Sequence, residues 1–141
     1  MIEGKLSCYV IYQDDDCIAI LDKYPIDNGH SLVIPKKPHE KLTDMDVDEV
    51  AKLFSKIPKI ANAIIKATKA DAFSIAQNNG KAAKQIIPHV HVHIIPRYNK
   101  TGILWTKRKI LKDNELNELA QKIKNCFQRL FNLNNLDCKV R

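Results

Sequence analysis

No apolar run in this sequence approaches the ~20 residues a membrane-spanning helix needs. Residues 1–7 carry Glu3 and Lys5 and no apolar stretch, which argues against a secretory leader. The four cysteines, Cys8, Cys17, Cys126 and Cys138, form no CxxC pair, as expected of a reduced cytoplasmic protein with incidental cysteines. There is no internal repeat, low-complexity tract or Gly/Ser-rich linker. The 141 residues therefore read as a single domain over 1–128 with a short tail over 129–141. Apolar residues make up 45% and charged residues 28%, enough for a packed core and too apolar for disorder.

Charge is unevenly balanced. The 23 Lys+Arg against 16 Asp+Glu leave a net +7, which favours an anionic partner such as a nucleotide, or less favourably a nucleic acid. The lysines are spread along the chain, however, and a plain solvated surface explains most of them.

Local patterns predict the order β-β-β-α-β-β-α. Strands are expected at 8–12, 17–21, 31–35, 71–76 and 89–95. Asp14–Asp16 forms the first turn, and Pro35 and Pro96 close the third and fifth strands. Helical periodicity runs from Val47 to Ile65, capped by Thr43 or Asp44 and kinked or interrupted at Pro58. A second helix over 113–127 has Asp113 as its cap. Hairpin-length links argue for an α+β fold with an antiparallel sheet of about five strands, one long helix and a C-terminal helix.

The histidines carry the chemistry. Three of five stand at 89, 91 and 93, alternating with Val90 and Val92. On a strand, positions i, i+2 and i+4 share a face, so three imidazoles line one side and the valines pack the other. Three readings follow. The rings are solvated surface groups, or metal ligands, or a row tracking an extended anion. A single metal suits them poorly, because His89 and His93 start ~13 Å apart on a straight strand. Imidazole attacks phosphorus, transfers protons and carries charge near neutrality, which suits a phosphate chain.

The segment His89-Val-His-Val-His-Ile-Ile95 resembles the histidine triad (HIT) signature, in which three histidines alternate with apolar residues. Tyr12–Asp22 is similar to that family's first hairpin. Asn28-Gly-His-Ser-Leu-Val-Ile-Pro35 is similar to its Gly-His-x-Leu-Val-x-Pro segment, and Asn78–Gln85 to its phosphate loop. The resemblance covers about residues 4–127. It implies a HIT-like fold and a nucleotide hydrolase or transferase acting at the α-phosphate without an essential metal or cofactor. By the same resemblance His91 is the nucleophile that forms a nucleotidyl-histidine. His89 supports it through its backbone carbonyl and pairs with His30, and His93 meets the phosphate or leaving group. Asp22 matches a ribose-binding position, though alone it is also a plausible turn residue before Pro25. Asn78 and Gln85 match phosphate-loop positions. Ile20 and Leu21 are candidates for an apolar base pocket or simply for the core. His39 is read as a surface residue at a helix start, with no zinc bound. The resemblance also implies a homodimer joined through the long helix and a strand edge.

Two departures from the family pattern stand out. Lys84 occupies a position where many members have glycine, and Ile86 one where a Ser or Thr hydroxyl often reaches the phosphate. The triad strand ends Ile94-Ile-Pro-Arg97, similar to the fragile-histidine-triad type, while Trp105-Thr-Lys-Arg108 replaces the Trp-Pro-Pro-Gly-like ending of the Hint type. Two other function classes stay open from sequence: a nucleotide-binding regulatory module with little turnover, and processing of nucleic-acid 5′ ends.

Overall fold

A computed structural model describes residues 9–101 and 111–131; Cys8, Trp105, Cys138 and the tail beyond Phe131 lie outside the described residues. Among the described residues, five strands form one antiparallel sheet: β1 (Tyr9–Gln13), β2 (Cys17–Leu21), β3 (Ser31–Pro35), β4 (Ala72–Ala76) and β5 (Val92–Arg97). Their spatial order is β1-β2-β3-β5-β4, with every neighbouring pair antiparallel. Among the described residues, three α-helices accompany them: α1 (Val47–Ser55), α2 (Ile57–Thr68) and α3 (Asp113–Phe131). The α+β architecture and the element order agree with the sequence reading.

The helix boundaries differ from it in instructive ways. The long helical pattern divides at Lys56, and Pro58 sits in the first turn of α2. Proline has no N–H to donate and its ring crowds the carbonyl four residues back, so the ladder restarts there. The cap of α1 is Asp46, not Thr43 or Asp44. Asp46 Oδ1 accepts the Glu49 N–H at 2.9 Å, and Glu49 Oε1 accepts the Asp46 N–H at 3.0 Å, a reciprocal capping box. Asp44 belongs instead to a 3-10 turn at Leu42–Asp44. In α3, Asp113 is already helical, and its carboxylate accepts the Tyr9 hydroxyl. That helix also continues past Phe127 to Phe131.

The sheet has two apolar faces. Cys17, Ala19, Leu21, Val33, Val90, Val92 and Ile94 face the helices and pack with Leu53, Ile60, Ile64, Leu116 and Ile123. The opposite face carries a smaller cluster, Ile20, Leu32 and Ile34, with Val10 and Ile18 against it. Leu21 is therefore a core residue; of the two base-pocket candidates only Ile20 lies on the second face.

Strand β5 begins at Val92 rather than His89. Its pairing with β3 reaches only Val33↔Val92, and β4 ends at Ala76↔His93. Before that point the chain veers to the segment after β3, where the Val90 N–H meets the His39 carbonyl at 2.8 Å. The in–out alternation survives: Val90, Val92 and Ile94 are buried and the three histidines half-buried. Pro96 does not close the strand but lies inside it, opposite Phe73. Proline is tolerated there because β3 pairing ends at Ser31↔Ile94, so this stretch of β5 has one neighbour instead of two.

A polar lock ties the first hairpin to the helix junction. Asp14 Oδ1 accepts the backbone N–H groups of Asp16 and Cys17, making the turn. Its Oδ2 accepts the Tyr12 hydroxyl at 2.7 Å and the Lys56 ammonium at 2.5 Å. Tyr12 stacks on Phe127 with centroids 5.2 Å apart, and the Lys59 ammonium lies 4.8 Å over its ring. Although partial burial works the other way, these donors hold the Asp14 carboxyl well below the usual carboxylate range. A depressed folded-state pKa means the stabilisation is complete above the unfolded value, near pH 4, and fades as acid protonates the group. Asp14→Asn should therefore remove about 1–2 kcal/mol at pH 7 and much less near pH 2. Urea melts at the two pH values check this, and an equal loss at both would refute it.

Candidate active site

The loop between β2 and β3 carries the first two site residues. Its ends are zipped by the Asp22 N–H to the His30 carbonyl at 2.8 Å. The turn closes through Gly29, whose φ of +91° suits glycine. Asp27, itself buried, caps the turn by accepting the Asn28 N–H, and its other oxygen takes the Thr101 hydroxyl at 2.8 Å. The Tyr98 hydroxyl reaches the Asn28 carbonyl at 2.7 Å, so the segment after β5 clamps this loop from outside.

His30 is fully buried. Its Nδ1 accepts the Ile26 N–H at 2.9 Å, and a backbone N–H can only donate. In the neutral ring the hydrogen must then sit on Nε2, which lies 2.9 Å from His93 Nδ1. His93 accepts that hydrogen, so its own is on Nε2. The opposite assignment holds for His91. Its Nδ1 is 2.8 Å from the His89 carbonyl, which can only accept, so Nδ1 carries the hydrogen and Nε2 a free lone pair. The His91 and His93 rings meet edge to face with centroids 5.0 Å apart. One ring thus offers an electron pair and its neighbour an N–H.

The pairing expected between His89 and His30 is replaced by His30 with His93. The register explains it: Leu32 stands opposite His93, which brings the end of the β2–β3 loop against β5 at that ring. The His89 ring turns away and donates from Nε2 to the Pro35 carbonyl at 2.9 Å. Its backbone carbonyl supports His91 as expected.

The phosphate-loop candidates divide. Gln85 is buried and braced, its Oε1 accepting the Gly80 N–H and its Nε2 donating to the Glu40 carbonyl, each at 2.6 Å. One amide hydrogen remains for a ligand, and the main task of the side chain is to hold the loop to the segment after β3. Asn78 is half-buried, and its neighbour Asn79 accepts the Leu42 N–H at 2.7 Å. Lys84 adopts a left-handed backbone at φ +67°, the conformation that favours glycine there. Ile86 is 89% exposed beside it. His39 is not at a helix start. It lies on the loop after β3, with Nε2 3.0 Å from Glu49 Oε2. Asp46, His39 and Lys37 together pull the Glu49 carboxyl down to about 2.

A carboxylate oxygen of Asp22 and one ring nitrogen each of His30 and His93 lie within 4.8 Å of one another, a spacing that metal ions favour. The donor chemistry argues against such use. The Nδ1 lone pair of His30 is taken by Ile26, and its Nε2 carries the hydrogen, so a neutral His30 has no lone pair to give a metal. Across the sheet, the register aligns Val10, Ile20, Leu32 and His93 on one face. An apolar floor therefore runs from the histidines toward β1.

Residues 3–100 match the HIT domain. The chain belongs to the HIT family. It is 41% identical over 130 residues to adenylylsulfatase HINT3 of Arabidopsis thaliana, covering 92% of this chain but only 66% of that longer protein. It is 30% identical over 126 residues to adenosine 5′-monophosphoramidase hnt1 of Schizosaccharomyces pombe, covering 87% and 91% of the two chains. A crystal structure of a hypothetical histidine triad nucleotide-binding protein from Sulfolobus tokodaii superposes with a TM-score of 0.85 at 34% identity, over 94% and 92%. Among the described residues of this HIT protein, no helix is long and apolar enough to cross a membrane.

Proposed function

We propose that this HIT protein hydrolyses nucleoside 5′-phosphate derivatives at the α-phosphorus through a nucleotidyl-His91 intermediate. The observation that carries the reading is the opposed tautomers of two touching rings, a lone pair on His91 Nε2 beside an N–H on His93 Nε2. His91 Nε2 attacks phosphorus, and the bond to the leaving group breaks. The departing electron pair takes a proton from His93. Water then attacks phosphorus, the N–P bond returns its pair to His91, and the water proton restores His93. The products are a nucleoside monophosphate and the protonated leaving group.

In this reading Asp22 binds the ribose, Asn78 and the spare Gln85 hydrogen meet phosphate oxygens, and the base lies over Ile20. The named activities of the Arabidopsis and fission-yeast relatives support a nucleotide substrate. Pairing of two copies through the edge strand β4 belongs to the same reading, because Phe73 and Ile75 on it are 46% and 41% exposed.

The test is AMP release from adenosine phosphoramidate and a diadenosine polyphosphate offered in parallel. Absence of AMP from both, with AMP still bound, would move the regulatory reading ahead. Lys84→Gly belongs in the same assay, since glycine keeps the left-handed backbone while removing the charged side chain. The polyphosphate should lose about five- to ten-fold in kcat/KM and the phosphoramidate little. Equal loss on both would separate Lys84 from the leaving group.

A further inference from the structure

The proton inventory of the His30–His93 pair does not close without a third group. In its neutral form the pair has one hydrogen in the His30–His93 bond and one on His93 Nε2. Giving the latter to a leaving group would leave an imidazolate anion, which is far too basic to form near neutrality. The pair must therefore hold one additional proton when the leaving group departs. His30 Nδ1 cannot take it while it accepts the Ile26 N–H. The proton then goes to His93 Nδ1, and two N–H groups face one another across the 2.9 Å contact. That state needs an acceptor at this spot.

Asp22 supplies one. Its Oδ2 is 3.7 Å from His30 Nε2, and its carboxylate also lies within 4.8 Å of a His93 ring nitrogen. The Tyr24 N–H holds the other carboxylate oxygen at 2.9 Å, which aims the group inward. On its His30 side, which is fully buried, a positive charge on the pair has little water to stabilise it, and a carboxylate at this range does so by direct Coulomb attraction.

We propose that Asp22 is the counter-ion of the charged His30–His93 pair, the form that protonates the leaving group, and not a ribose contact alone. The proposal rests on the hydrolase reading above for its catalytic consequence. Among the described residues, the strands flanking β5 offer no rival, since Ser31–Pro35 and Ala72–Ala76 contain no titratable side chain. Asp27, on the same loop, is engaged with Asn28 and Thr101. Arg97, on β5, donates to Ser74. His89 is bonded to Pro35, and His91 to the His89 carbonyl. Lys23 is exposed. Asp22 is thus a positioning residue for a proton, acting through His93.

Asp22→Asn in the full chain separates the two roles, because the amide can still bond to ribose hydroxyls but carries no charge. Two AMP derivatives are compared: the phosphoramidate, whose amine must be protonated to leave, and the p-nitrophenyl ester, whose phenolate leaves without a proton. The variant should lose at least about ten-fold more kcat on the phosphoramidate than on the ester. The same gap should persist on 2′,3′-dideoxy versions of both. An equal loss on the two, vanishing with the dideoxy substrates, would leave only the ribose contact and overturn the proposal. A second arm is independent of turnover. Imidazole NMR titration of the free protein should show the macroscopic midpoint of the His30–His93 pair falling by about one unit or more in Asp22→Asn. An unchanged midpoint in a folded variant overturns the proposal, even if wild type cleaves neither substrate and the hydrolase reading fails. Asp22→Glu should restore part of both effects.

Discussion

His91→Ala should lower kcat for AMP release by about 10⁴-fold or more while leaving nucleotide affinity within a few-fold. The asymmetry follows from position. His91 makes one described hydrogen bond, to the carbonyl of His89, and sits half-buried ahead of the β5 ladder. Removing its ring deletes the lone pair that reaches phosphorus without opening the helix-side core, since Val90 and Val92 on either side stay buried. Thermal melting should accordingly change little. Rapid quench of wild type into alkaline denaturant, in which the histidine N–P bond survives, should trap protein carrying a nucleotide, and the variant should carry none. Adduct formation at undiminished yield in His91→Ala would sink the assignment.

The second large effect is on the fold. Gly29→Ala should destabilise the protein by about 3 kcal/mol. Two independent penalties act there. The backbone φ of +91° is one that side-chain-bearing residues rarely adopt, and an added Cβ would meet Thr68 Cγ2 at 2.8 Å and Pro96 Cγ at 3.1 Å. Neither neighbour yields readily, because the Thr68 hydroxyl is tied to the Ile64 carbonyl and Pro96 is fixed within β5. For a chain of this size the melting temperature should fall by roughly 10 °C. The residue that follows is His30, so a shifted loop also spoils the 2.9 Å contact with His93. Activity should then fall below what the loss of folded protein alone explains. A melting temperature unchanged within 2 °C or so would show that the loop relaxes freely.

Much of this was legible in the chain. The two-residue alternation through Cys17–Leu21 and Val90–Ile94 marks which side chains face the helices, and it holds even where His89 and His91 leave the ladder. Pro58 announces the break between α1 and α2. The true α1 cap was also written in the sequence, as Asp46 followed three residues later by Glu49. What could not be read locally is register. His30 meets His93 and not His89 because β3 and β5, about sixty residues apart, align Leu32 with His93. Pro96 escapes the usual rule for the same reason, since whether a strand residue needs its N–H depends on how many strands lie beside it. Gln85 shows a further limit. An amide can serve a ligand or its own loop with equal ease, and only the placement of Gly80 and Glu40 reveals which it does.

Both ring orientations at the site are set by main-chain groups, the Ile26 N–H at one end and the His89 carbonyl at the other. Every residue supplies a carbonyl, and every residue but proline supplies an N–H. Drift at positions 26 and 89 can therefore change the side chains without erasing the chemical instruction those positions carry. A substitution at the first triad histidine, whose one described ring contact is the Pro35 carbonyl, should therefore leave the lone pair of His91 pointed where it is needed. The site is buffered against mutation at the two places that orient it and exposed to mutation at the rings themselves.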